Sequence, residues 1–211
     1  MAGLRESQKA GRRIRMLDAA RRHFLESGFE TATIEAIAET AEVSAVTVYN
    51  YYGTKRGLLL ALVGQSDDIL IGKIDAFMTT LPDDPLEALA GISLVIRDHN
   101  LGYLKRPIWC HVIATSVIEG SSGFGRAYAA LDQKLGELFG HLFEILTRRG
   151  ALDPTIDCAA AGQTLFKLQN ARFVEFMADD ALTPSDMDRR FRGDIAFVLG
   201  HYIADRDAMS A

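Results

Sequence analysis

The stretch VSAVTVYNYYGTK, residues 43–55, packs three tyrosines, an asparagine, two threonines, a serine and a lysine into thirteen positions. Ser44 suits the cap of a short helix, Gly53 its end, and Thr54 the cap of the helix that follows. Between them AVTVYNYY makes barely two turns. Just upstream, Thr33 is an N-cap residue, Glu35 suits the positive end of a helix dipole, and Ile34, Ile37, Ala38 and Ala41 repeat at helical spacing. Two short helices joined by AEVS, the second opening on serine and polar along its first turns, predict a helix-turn-helix.

Before this pair, RRIRMLDAARRHFLESGF places Ile14, Leu17, Ala20, Phe24 and Leu25 on one stripe at steps of three and four. Arg13, Arg15, Arg21, Arg22 and Glu26 fall largely off that stripe, and Gly28 supplies a stop. The first 22 residues carry seven basic and two acidic side chains, and residues 1–60 balance at +2 while the whole chain is at −5. Such asymmetry suits either a basic contact surface on an acidic body or an ordinary solvated helix face.

Beyond residue 55, helical periodicity continues between breaks at LPDDP (81–85), KRP (105–107), EGSSGFG (119–125), RRGALDP (148–154) and DDALTP (179–184). Each break holds Pro or Gly. The predicted fold is all-α: an N-terminal three-helix helix-turn-helix domain over 10–70 and a larger helical body over 71–205, to which the family resemblance given below adds ligand binding and dimerisation. At 211 residues, 48% hydrophobic and 24% charged, the chain is long and apolar enough for a proper core. Two cysteines without C-x-x-C spacing, Cys110 and Cys158, argue against a disulfide framework or a zinc site. With neither a signal-peptide h-region nor an 18-residue apolar run, a cytoplasmic protein without a membrane partner is expected.

The chemistry of the recognition helix follows from its spacing. Val48 should point into the small core, leaving Ala45, Val46, Thr47, Tyr49, Asn50 and Tyr51 over the faces that can meet DNA. Ala45, Val46 and the Thr47 methyl suit thymine methyls, and the Thr47 hydroxyl can serve base or phosphate. Tyr49, Asn50 and Tyr51 read as phosphate or groove-edge contacts, and Tyr52 as a packing residue.

Residues 24–62, FLESGFETATIEAIAETAEVSAVTVYNYYGTKRGLLLAL, resemble the DNA-binding region of the tetracycline-repressor (TetR) family of bacterial transcriptional regulators. The resemblance rests on F-x-x-x-G-F, Thr33-Ile34, Ile37-Ala38, Ala41-x-Val43-Ser44, Thr47-Val48-Tyr49-x-Tyr51-Tyr52 and Thr54-Lys55. It implies phosphate contacts at Thr33 and Lys55, base reading at Ser44, Ala45, Val46 and Thr47, and a grip on backbone and groove wall by Tyr49, Asn50 and Tyr51. Two positions depart from the family pattern: Glu42 stands where Gly is common, and Ala45-Val46 where Lys or Arg followed by Gly is common. Readout should therefore lean on methyl contacts.

One short recognition helix covers few base pairs, so a homodimer on a palindromic operator is expected. The resemblance places dimerisation on the last two long helices, roughly 155–178 and 184–205. Phe166, Asn170, Phe173 and Met177, with Leu165, Gln169 and Phe176 beside them, pattern one helix; Met187, Phe191, Ile195, Val198 and Tyr202 pattern the other. Phe176, Met187, Phe191, Ile195, Val198 and Tyr202 are the candidate interface residues, although the same periodicity suits an intramolecular core.

The resemblance also implies a small-molecule effector in the body, whose binding alters the separation or tilt of the two heads and weakens operator affinity. Candidate lining residues are Phe77, Met78, His99, Tyr103, Trp109, His111, Phe124, Phe166 and Phe173, all of them types that equally build cores. No cofactor and no metal is expected: adjacent Cys110 and His111 point in different directions on a helix, with no second liganding pair. GSSGFG, 120–125, is neither G-x-S-x-G nor a phosphate loop, and the five histidines show no H-E-x-x-H spacing, so an enzyme is not expected. The alternative is an architectural or weakly specific DNA-binding protein without an effector.

Overall fold

A computed structural model describes residues 2–121, 123–200 and 202, with side chains from residue 6 onward. Nine helices account for the described residues, with no strand element among them: α1 (Ala2–Thr31), α2 (Ile34–Thr40), α3 (Ala45–Tyr52), α4 (Lys55–Met78), α5 (Pro85–Tyr103), α6 (Arg106–Glu119), α7 (Gly123–Arg148), α8 (Cys158–Ala178) and α9 (Pro184–Leu199). The helix breaks fall at the Pro- and Gly-containing segments. Ser122 in the α6–α7 connection, His201, and the expected continuation of the last helix over 203–205 lie outside the described residues. No described helix is long and apolar enough to cross a membrane.

Two compact units emerge: Met1–Asp68 with Leu101–Tyr128, and Ile69–Asn100 with Ala129–Ala211. The sequence divides the chain into two successive segments at 70/71, whereas the contacts add residues 101–128 to the N-terminal unit because α6 packs on α1. Proline and glycine chemistry marks where helices stop; it carries no information on which helices then pack together.

In the first unit, Met16, Leu17, Ala19, Ala20 and Phe24 bury one face of α1 against Ile34, Ile37 and Ala38 of α2 and Val48 of α3. Ile14, expected on that stripe, is 52% exposed. It precedes the packed part of the helix, and Met16 takes up the buried position instead. Gly28, with φ 83°, breaks the α1 helix and turns Phe29 back so that its ring lies 5.3 Å from that of Phe24. From the other side Arg21 Nε donates to the Tyr103 carbonyl at 2.9 Å and Lys105 Nζ to the Leu25 carbonyl at 3.1 Å.

The second unit is built on Leu70, Ile74, Leu89, Ile92, Phe139, Leu142, Phe143, Leu146, Leu165 and Ile195, all fully buried. Its α7 and α8 touch backbone to backbone: a Cβ on Gly162 would stand 2.2 Å from the Gly140 nitrogen, so glycine is required there. Thr183 and Asp186 form a reciprocal capping box that starts α9, and Arg172 clamps Asp194 with two hydrogen bonds of 2.7 and 2.8 Å between α8 and α9.

Candidate nucleic-acid interface

The α2–α3 pair is set by two side-chain caps and one strained residue. Thr33 Oγ1 accepts from the Ala36 amide at 3.2 Å, and Ser44 Oγ accepts from the Thr47 amide at 3.2 Å. Between the helices Glu42 adopts φ 54°, a left-handed conformation that glycine takes without cost and other residues take at about 1 kcal/mol or more. The turn expected from a glycine thus forms with glutamate, and the backbone carries the strain. It is held by the Val43 amide donating to the Ala38 carbonyl at 3.0 Å.

On α3, Val48 is fully buried and pins the helix to the small core. The remaining side chains fan outward: Val46 is 66% exposed, Tyr49 46%, Asn50 is exposed, and Ala45, Thr47 and Tyr51 are half-buried. The Ser44 and Thr47 hydroxyls stand 2.8 Å apart, so one donates to the other and one hydrogen is left to point outward. The methyl groups of Ala45, Val46 and Thr47 lie at the open N-terminal end of the helix, where base edges are met in a helix-turn-helix. Thr33 keeps its hydroxyl hydrogen available, because Oγ1 serves the cap as acceptor only.

Gly53, with φ 71°, closes α3, and Thr54 Oγ1 caps α4 by accepting from the Gly57 amide at 2.9 Å. A Cβ on Gly57 would meet the Tyr52 carbonyl at 2.0 Å, so the α3–α4 corner closes only on glycine. Tyr52 packs as expected, with its hydroxyl buried beside Arg13 but short of a well-formed hydrogen bond to it. Burial pushes its phenol pKa up, against a lowering influence from the nearby Arg13.

Lys55 departs from its expected role. Its ammonium donates to the carbonyls of Phe29 at 2.7 Å, Glu30 at 2.9 Å and Ala32 at 3.0 Å, and lies 4.7 Å from the Phe29 ring centroid. All three N–H donors are therefore spent inside the protein, and none is left to hold a phosphate. The motif Thr54-Lys55 gave no hint of this, because the carbonyls it reaches come from a turn some 25 residues earlier.

A cleft of about 730 Å³ beside this face was also not legible: Lys9 and Arg13 of α1 line it together with Tyr51 and Tyr52 of α3 and Leu60 of α4. The excess of basic residues in α1 was the available signal.

The expected effector residues divide between the two units. Tyr103, Trp109, His111 and Phe124 belong to the first; Phe77, His99, Phe166 and Phe173 to the second. His111 lies 5.1 Å from the Phe29 ring and 3.6 Å from a Glu30 oxygen, so it supports the α1–α2 turn. Tyr103 carries the Arg21 guanidinium on its ring and donates to Gln65 Oε1 at 3.1 Å. Phe77 covers Gly91, where a Cβ would stand 2.4 Å from its ring. Met78 packs beside the core of its unit, while Trp109, His99, Phe124 and Phe173 are buried. Phe166 lines a cavity of about 490 Å³ between α7 and α8.

The expected interface residues need correction. Phe176, Met187, Phe191 and Ile195 are buried within the single chain, Phe191 and Ile195 in the core of the second unit, so their side chains offer little surface to a partner. Val198 is half-buried and Tyr202 is exposed at the end of the described chain. The outward face of the same two helices carries Ala160, Thr164, Ala171 and Val174 on α8 and Gly193, Ala196 and Phe197 on α9.

The family model for bacterial regulatory proteins, tetR family, matches residues 16–62, the helices just described. The chain is 24% identical over 155 residues to the HTH-type transcriptional regulator TcmR of Streptomyces glaucescens, covering 72% of this chain and 66% of that protein. It is 20% identical to the HTH-type transcriptional regulator UidR of Escherichia coli K12, covering 89% and 92%. Its fold matches the crystal structure of Thermus thermophilus FadR, a TetR-family transcriptional repressor in complex with lauroyl-CoA, with a TM-score of 0.69 at 23% identity over 89% of this chain and 93% of that one. Residues 16–62 thus carry the helix-turn-helix described by the tetR family model, on a fold shared with solved TetR-family regulators.

Proposed function

We propose that the protein is a sequence-specific transcriptional repressor that binds a palindromic operator as a homodimer and releases it when a small molecule occupies the helical body. The observation that carries this reading is the outer surface of α3, where methyl groups and one outward hydroxyl hydrogen are held at the end of a Ser-capped helix. Thr33, Ser44, Ala45, Val46, Thr47, Tyr49, Asn50 and Tyr51 form the DNA-facing set, with Lys55 acting behind it to fix the turn. Such a protein works in the cytoplasm, on genomic DNA.

Dimerisation is supported by the outward faces of α8 and α9. Phe197 is 81% exposed and is flanked at helical spacing by Gly193 and Gly200, small residues that let a second backbone approach closely. An effector is supported by the relative FadR, which holds lauroyl-CoA in its crystal structure.

Selection from a random DNA pool at two salt concentrations tests the reading. The expected result is a palindromic consensus with a specificity ratio of about 10³ or more at fixed salt. Binding that is nearly equal across sequences and collapses with salt would instead identify an architectural DNA-binding protein.

A further inference from the structure

The cavity between α7 and α8 carries chemistry that DNA binding does not use. Asp132 and Gln133 contribute to it from α7, and Gln163, Phe166, Lys167 and Asn170 from α8. Its volume of about 490 Å³ suits a small ligand. A Cβ on Gly136 would stand 2.5 Å from the Gln163 amide, so this glycine makes room for that side chain against α7.

Asp132 is the unusual member. Its carboxylate lines the cavity and accepts a hydrogen bond from Asn170 Nδ2 at 3.1 Å on Oδ2, and no hydrogen bond to Oδ1 is formed among the described residues. Among the described residues no cation forms an ion pair with it, and Lys167 is the one basic side chain of those that line the cavity. Burial pushes the Asp132 pKa up to about 6, and only the Asn170 hydrogen bond opposes that rise. A carboxylate partly withdrawn from water, with one amide partner on one of its oxygens, is most strongly satisfied by a cation that brings its own N–H donors.

We propose that this cavity binds a small organic ammonium ion with a flat apolar body. The ammonium sits against Asp132 and the body lies along Phe166; the Gln133 and Gln163 amide nitrogens are already bonded to Glu137 and to the Gln133 carbonyl, which leaves their oxygens for a polar group of the ligand. Asp132 from α7 and Lys167 from α8 are the charged side chains among the described residues that line the cavity. Because binding requires the ionised carboxylate, affinity rises with pH as Asp132 loses its proton near pH 6.

Calorimetric titration of the full chain with tyramine, against its uncharged counterpart 4-ethylphenol, tests the assignment. Tyramine should bind saturably at pH 7.5 and bind more weakly at pH 5. Both 4-ethylphenol on the wild type and tyramine on Asp132→Asn should show an affinity lower by about 10- to 100-fold, the range for losing one charge-assisted hydrogen bond. Gly136→Ala, which displaces the Gln163 amide from its place against α7, should also weaken tyramine while leaving Asp132 in place. Thermal unfolding of each variant verifies that it is folded. Absent saturation with tyramine, equal binding of the two compounds, or indifference to Asp132→Asn would each overturn the proposal. Operator binding measured without ligand is read separately, so failure of the cation site leaves the DNA-binding reading standing, and the reverse.

Discussion

The ammonium nitrogen of Lys55 lies 2.7 Å from the main-chain oxygen of Phe29 and 4.7 Å from the centre of the same residue's ring. With its bonds to Glu30 and Ala32 it places a positive charge on the carbonyls that end α1, where that helix has no basic residue of its own. The start of α4 is thereby tied to the entrance of α2. Lys55→Met should therefore cost about 1–2 kcal/mol of stability, since hydrogen bonds to a charged group are among the stronger ones but this site is only half-buried. The slope of log affinity against log salt should stay as in the wild type. A slope shallower by about 0.9 would return Lys55 to the phosphate backbone.

Thr47 offers DNA a methyl group, while its hydroxyl is already engaged with Ser44 at 2.8 Å. Thr47→Val keeps the methyl and loses the hydroxyl, whereas Thr47→Ala loses both. If methyl contacts carry the reading, the valine variant should rank operator variants as the wild type does. The alanine variant should lose about 1–3 kcal/mol at one base-pair position. Competition binding at one salt concentration separates them, and a valine variant as impaired as alanine would assign the reading to the hydroxyl.

How far the sequence reached is clear from such residues. Thr33, Ser44 and Thr54 were legible as caps because capping is local: acceptor and amide lie three residues apart. Val48 was legible because helical spacing fixes which side chain turns inward. Lys55 was not, since its partners are distant in the chain and a lysine carries no mark of what it will reach. Phe176, Met187, Phe191 and Ile195 were legible as a buried face but not as the face of one chain, because periodicity reports burial and not whose atoms cause it.

Glu42 holds a left-handed φ of 54° in the α2–α3 turn, the one described non-glycine residue with positive φ. Glu42→Gly should relieve that strain and gain about 0.5–1 kcal/mol, somewhat reduced by the greater freedom of glycine in the unfolded chain. In a chain of this size that corresponds to a rise in Tm of about 1–4 °C. Glu42→Ala, which keeps the Cβ, should gain nothing. Equal melting temperatures for the glycine and alanine variants would show that the turn is not strained.

Asp132, with its pKa raised to about 6, destabilises the fold when ionised. The folded state holds the proton more tightly than the unfolded chain, so stability falls as pH rises from about 4 to about 6 and stays lower above that. The difference is on the order of 2–3 kcal/mol, discounted where the cavity admits water. Asp132→Asn should therefore melt higher than the wild type at pH 7.5, with the gap narrowing towards pH 4. A gap constant across that window would mean that the carboxylate is as well solvated in the fold as outside it.

Phe191 and Phe197 lie on one helix and face opposite ways, the first buried and the second 81% exposed. Their substitutions should therefore fail differently. Phe191→Ala opens a cavity in the core of the second unit and should cost about 3–5 kcal/mol of stability. Phe197→Arg leaves that core intact; in the dimer it replaces an apolar side chain whose burial contributes about 1.5–3 kcal/mol by an unpaired charge at a close backbone approach. Sedimentation should show a folded monomer, and operator binding should drop to that of a single half-site. A Phe197→Arg protein that remains dimeric would move the interface off this face, and the outward residues of α8 and α9 would need another explanation than a second copy of the chain.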